Sequence, residues 1–66
     1  MAIGEKIREL RESENMTQEN LAGILGIARP TLSHYEKGKL QVPHELIKKI
    51  AKHFGVTIDF IYSYSG

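Results

Sequence analysis

Arg29, Pro30, Ser33, His34 and Lys37 are spaced so that a helix running through them would bring all five to one side. That side would carry a guanidinium, an imidazole, a hydroxyl and an ammonium group around one rigid ring. Such a set donates hydrogen bonds outward, and it suits flat arrays of acceptors and anionic oxygens better than proton shuttling. Arg29 is the strongest member, because its planar fork can bond two acceptors together. Catalytic and metal chemistries find no comparable constellation. His34, His44 and His53 stand nine or ten residues apart, with no ligand pair at helical spacing, and the chain has no cysteine. No phosphate-binding glycine loop is present, and no serine lies beside an evident base. The expectation is a binding protein, with no enzyme activity, metal or cofactor.

The elements that must position this face can be read around it. Leu32 and Tyr35 point the other way at i, i+3 spacing, so a helix from about Arg29 to Lys37 has an inward side, and Pro30 falls in its first turn, where a missing N–H costs nothing. Before it, Thr17 offers an N-cap hydroxyl and Glu19 an anion to a second helix whose inward residues are Leu21, Ala22 and Leu25. Gly26 closes that helix, supplying the positive φ that so tight a bend requires. Ile3, Ile7 and Leu10 mark a first helix over about residues 3–14. After Gly38 comes an exposed loop from Lys39 to Val42. Pro43 is then placed as the first residue of a fourth helix, whose apolar stripe is Ile47, Ile50, Ala51 and Phe54, with Leu46 at its edge. Gly55 stops it. Thr57 caps a short fifth helix holding Ile58 to Ile61, and the alternation through residues 60–65 would permit a strand-like end.

With 66 residues the chain is one domain, spanning 1–66, near the lower limit for a single unstapled core. The absence of cysteine rules out a disulfide framework and suits a reducing cytoplasm. No apolar run approaches the ~20 residues of a membrane span, and the first residues lack a signal peptide's apolar core. The net charge is only +1, but it is unevenly spread. Residues 1–28 carry three basic and five acidic side chains, whereas residues 29–53 carry six basic and two acidic. The basic half begins with the polar helix face, an asymmetry that can orient a protein on a polyanion.

Two short helices folded around Gly26, the second with a free polar face, form the arrangement that places one helix in the DNA major groove. In sequence the chain resembles the lambda-repressor-like helix-turn-helix family, the Cro, phage-repressor or XRE type, over nearly its whole length. The matching segments are Ile7-Arg8-Glu9-Leu10-Arg11, Thr17-Gln18-Glu19-Asn20-Leu21-Ala22 and Leu25-Gly26-Ile27. They continue with Leu32-Ser33, Tyr35-Glu36-Lys37-Gly38, Ile50-Ala51-Lys52 and Phe54-Gly55-Val56-Thr57-Ile58-Asp59. The resemblance implies an all-α, compact five-helix domain with its helix-turn-helix over about residues 17–37. It implies base contacts from Arg29, Pro30 and His34, with Ala28 and Ser33 beside them. Phosphate contacts would come from Gln18, Lys37, Lys39 and Gln41, and a buried ion pair would join Arg11 to Glu36. The chain departs from the family pattern at Ala28, where a Ser or Thr cap is usual, and at Pro43, one position later than is common.

The reading that follows is a sequence-specific DNA-binding transcriptional regulator, a repressor acting in the cytoplasm on the nucleoid. Arg29 would bond guanine O6 and N7, a contact worth roughly 1–3 kcal/mol of discrimination, and Pro30 would meet a thymine methyl. Ile58, Phe60, Tyr62 and Tyr64 exceed what one small core can bury, so residues 57–66 are expected to join two copies into a homodimer on a palindromic operator. Switching would then come from concentration, a regulatory protein partner or a modification. The rival reading is a protein-binding adaptor or antitoxin-type module on the same fold.

Overall fold

Among the described residues, 2–63 of the computed structural model, the chain forms five helices and no strand. They are α1 (Ala2–Ser13), α2 (Gln18–Leu25), α3 (Arg29–Glu36), α4 (His44–Phe54) and α5 (Ile58–Ser63). The apolar spacing that announces each helix also builds the core. Ile7 of α1, Leu21 of α2, Leu32 of α3, Ile47 and Ile50 of α4 and Ile61 of α5 are all fully buried. Every helix thus gives at least one side chain to the same cluster, each worth about 1.5–3 kcal/mol of burial. Two of these helices are only eight residues long, too short to persist alone. Tertiary packing is therefore what makes α2 and α3 helical.

The ends of the helices are set locally. At α2, Thr17 and Asn20 form a reciprocal capping box: Asn20 N–H donates to Thr17 Oγ1 at 3.0 Å, and Thr17 N–H donates to Asn20 Oδ1 at 3.3 Å. Gly26 ends α2 in the left-handed region (φ 74°), and the Ile27 N–H reaches back to the Ala22 carbonyl at 3.0 Å. Thr57 caps α5 by accepting from the Phe60 N–H at 2.9 Å.

Three expectations shift. Pro43 lies just outside α4 as its N-cap, in extended conformation (ψ 146°), and its carbonyl accepts from Leu46 and Ile47. Lys37 is the C-cap of α3 and not its last helical residue. The strand-like alternation after Phe60 is overridden, because Phe60–Ser63 complete α5. Burying Ile61 beside a half-buried Ile58 needs a period near three, and the Thr57 cap has already committed the backbone to a helix. Tyr64 lies outside the described residues.

α1 packs on α3 and α5, α2 on α3 and α4, and α4 on α5. The inner side of α3 is thereby held from two directions, while Arg29, Pro30, His34 and Lys37 on its outer side stay exposed. No described helix is long and apolar enough to cross a membrane.

Candidate nucleic-acid interface

α3 begins without a side-chain cap. Ala28 takes the extended N-cap conformation (φ −73°, ψ 146°) but has no acceptor to offer, and Pro30 lies in the first turn. Along the outer side, Ala28, Arg29, Pro30, His34 and Lys37 are exposed, and Ser33 is half-buried at the margin. Lys39 and Gln41, in the loop beyond Gly38, are exposed as well. That loop leaves α3 through Gly38 (φ 76°), with the Lys39 N–H bonded to the His34 carbonyl at 2.9 Å. Arg29, Pro30, Ser33 and His34 therefore share one helix face, with Ala28 just before its start and Lys37 and Lys39 at its far end.

The inner side of α3 is fixed by Leu32 and by a charge. Arg11 Nε donates to Glu36 Oε2 at 2.8 Å, and Arg11 Nη2 donates to Glu36 Oε1 at 3.1 Å. Arg11 Nη1 donates to the Met16 carbonyl at 2.8 Å, tying the same guanidinium to the α1–α2 turn. Both partners are buried. Hydrogen bonding to the Glu36 carboxylate, opposed by burial, raises the Arg11 pKa above its ordinary value. Stability from this shift is fully present below the ordinary arginine range and is lost only as pH rises through the raised value. The guanidinium is thus charged at every pH at which the domain would work.

The sequence reading assigned Gln18 to phosphate alone; the structure gives it further partners. Gln18 Nε2 donates to Glu36 Oε1 at 3.0 Å, and Arg29 Nη1 donates to Gln18 Oε1 at 3.0 Å. The chain Arg11–Glu36–Gln18–Arg29 runs from the buried pair to the exposed face. No periodicity marks it, since Gln18 lies 18 residues from Glu36 and 11 from Arg29. Only the crossing of α2 over α3 brings the three together. Lys49 Nζ donates to the Leu25 carbonyl at 3.2 Å and so steadies the end of α2. Lys48 pairs with Glu45 at 3.6 Å.

On α5, Phe60 and Tyr62 are exposed, at 44% and 43%. Lys6 Nζ stands 4.5 Å from the centre of the Phe60 ring. The Tyr62 hydroxyl lies 2.9 Å from His44 Nδ1, with the two rings stacked. Ile58 is half-buried against the core, so the bare apolar surface of α5 is smaller than the sequence implied.

A family model described as helix-turn-helix matches residues 7–61. The chain is 43% identical over 63 residues to the HTH-type transcriptional activator BcrR of Enterococcus faecalis, covering 96% of this chain but 31% of that protein. It thus spans about a third of that relative. It is 46% identical over 59 residues to an uncharacterized HTH-type transcriptional regulator of Methanocaldococcus jannaschii, covering 89% of each. In structure it matches the restriction-modification controller protein C.AhdI from Aeromonas hydrophila with a TM-score of 0.82, at 28% identity and covering 91% of each chain. With a capped α2, a left-handed glycine turn and an α3 braced from within and bare outside, the chain belongs to the helix-turn-helix family of lambda-repressor-like, XRE type.

Proposed function

We propose that this domain is a sequence-specific DNA-binding transcriptional regulator that inserts α3 into the major groove. The observation that carries this reading is the pairing of an outer face holding Arg29, Pro30, His34 and Lys37 with an inner face fixed by Leu32 and Glu36. A helix so held can deliver side chains to base edges without first having to be ordered. Arg29 reads a guanine, His34 reaches the same groove, and Pro30 meets a thymine methyl, with Ala28 and Ser33 beside them. Gln18, Lys37, Lys39 and Gln41 take phosphates and set the register, and released counterions supply much of the affinity. The domain acts in the cytoplasm, on the nucleoid.

Two copies associate through α5, using Phe60 and Tyr62 with Ile58 at the margin and Tyr64 following them in sequence. A two-fold pair places its α3 helices about one DNA turn, ~34 Å, apart on a palindrome. Occupying an operator that overlaps a promoter represses. One relative is named a transcriptional activator; on this reading an operator beside the promoter, instead of over it, would activate.

The test is selection from a randomised duplex pool at ~150 mM salt, followed by sequencing. An enriched palindrome is the expected result. Failure to enrich any sequence, with only weak salt-sensitive binding, overturns this reading in favour of a protein-binding module.

A further inference from the structure

Polar chemistry is thin at the start of α3. Ala28, Arg29 and Pro30 are all exposed there, and their side chains offer one methyl group, one guanidinium and one pyrrolidine ring. Ala28 has no hydroxyl where the family usually carries a Ser or Thr, and Pro30 has not even a backbone N–H. The next hydrogen-bonding side chains of the reading face, Ser33 and His34, follow one turn later. Among the described residues the Nε and Nη2 edge of Arg29 has no partner, Nη1 being bonded to Gln18 Oε1 at 3.0 Å. That edge can bond guanine O6 and N7 together.

The base beside such a guanine then meets only carbon. In right-handed DNA the C5 position of a pyrimidine lies in the major groove beside the edge of the base on its 3′ side. The pyrimidine preceding the guanine is therefore the one that Ala28 and Pro30 would face. Apolar side chains gain from covering a C5 methyl group, but they cannot tell the O4 acceptor of thymine from the N4 donor of cytosine. Thymine and 5-methylcytosine carry the same methyl group at the same place. Uracil and unmodified cytosine lack it.

We infer that the first turn of α3 reads a 5-methylpyrimidine followed by guanine, so that a methylated CpG step can replace TpG in the operator. This rests on the reading of Arg29 as a base contact. It follows from Ala28 and Pro30 and not from the fold, because a hydroxyl or amide in either place would restore a donor and an acceptor. Operator occupancy then responds to cytosine methylation wherever this position holds a CpG.

The experiment starts from the duplex selected by the wild type and from the guanine whose preference Arg29→Ala erases. Four versions of that duplex differ at the base 5′ to this guanine in one half-site. They carry thymine or deoxyuridine opposite adenine, and 5-methylcytosine or cytosine opposite guanine. Binding is read by fluorescence anisotropy at ~150 mM salt. Thymine and 5-methylcytosine are expected to bind alike, and deoxyuridine and cytosine each about fourfold more weakly, the contribution of one buried methyl group. Pro30→Ser, shown to be folded by circular dichroism, is expected to shrink both differences; if it leaves them unchanged, the methyl is read elsewhere and the inference is overturned. If deoxyuridine binds as well as thymine, no methyl is read, and the inference is overturned without recourse to any variant. If thymine exceeds deoxyuridine but methylating cytosine gains nothing, a polar group reads the pair and the replacement of TpG is refuted. A selected motif with a purine before that guanine overturns it equally. If Arg29→Ala preserves every position of the wild-type motif, the base contact is wrong and the inference falls with it. Absence of any wild-type motif defeats the proposed function itself, a result distinct from the others.

Discussion

At the scale of single residues, the feature with most consequence is the Arg11–Glu36 pair. Desolvating two charges is costly, and such a pair adds little over a well-packed apolar pair, yet removing one partner strands the other. Arg11→Met is therefore expected to cost about 3–5 kcal/mol, read as a lower urea midpoint. In Arg11→Met/Glu36→Leu the stranded carboxylate is gone, and most of that loss should be regained. If the double variant is as unstable as the single one, the pair is supplying net stability and not the angle between α1 and α3. The two family-derived partners were legible as positions matching a pattern. Their hydrogen-bonding to Gln18 and Met16 was not, because those bonds depend on where three separate backbones cross.

At the scale of elements, α3 is the helix most in need of help. It has eight residues, and its N-cap is an alanine with no side-chain acceptor. Ala28→Ser supplies that acceptor and is expected to add ~1 kcal/mol, raising the thermal midpoint by about 4–8 °C for a domain of this size. An unchanged midpoint would mean that Pro30 already provides what a cap would. The contact of α1 with α3 gives a second prediction, one of sign. Glycine inside a helix normally costs about 0.5–1 kcal/mol relative to alanine, so replacing it should stabilise. Gly23, where an added Cβ would meet nothing within 4 Å, should obey this rule. Gly4 should violate it. A Cβ there would run into the backbone carbonyls of Tyr35 and Glu36, the latter at 2.9 Å, in the last turn of α3. Gly4→Ala is expected to destabilise by about 1–3 kcal/mol, as overpacking does, with thermal unfolding of the two variants side by side as the check. A stabilised Gly4→Ala would show that α1 can back away from α3 at no cost.

At the scale of the whole molecule, large apolar side chains among the described residues are exposed at Ile24 of α2, at Leu40 in the loop after α3 and at Phe60 and Tyr62 of α5. The face of α3 is cationic and polar, while α5 exposes Phe60 and Tyr62. Both rings already have partners within the chain, Lys6 and His44, which hold them in defined positions. The proposed dimer predicts a two-fold species by sedimentation at high micromolar concentration, weakened by Phe60→Ala/Tyr62→Ala without loss of helicity. Monomer alone, both free and on duplex DNA, would refute it.

Sequence determined where the helices begin and end and their order, because apolar spacing, Thr17 and Thr57 as caps and Gly26, Gly38 and Gly55 as stops are local signals that act within a turn of the chain. It also determined the chemistry available to the outer side of α3, since a helix imposes its own angular order on Arg29, Pro30, His34 and Lys37. The tertiary structure decided what those local rules do not reach. It set how closely Gly4 lets α1 approach α3, it brought the exposed Lys49 to the Leu25 carbonyl at the end of α2, and it drew residues 60–63 of the apparent alternation into a helix. Above all it placed Gln18 between Glu36 and Arg29. Hydrogen bonds of that kind need donors and acceptors within about 3 Å, a condition that depends on the packing of whole helices and leaves no trace in residue spacing.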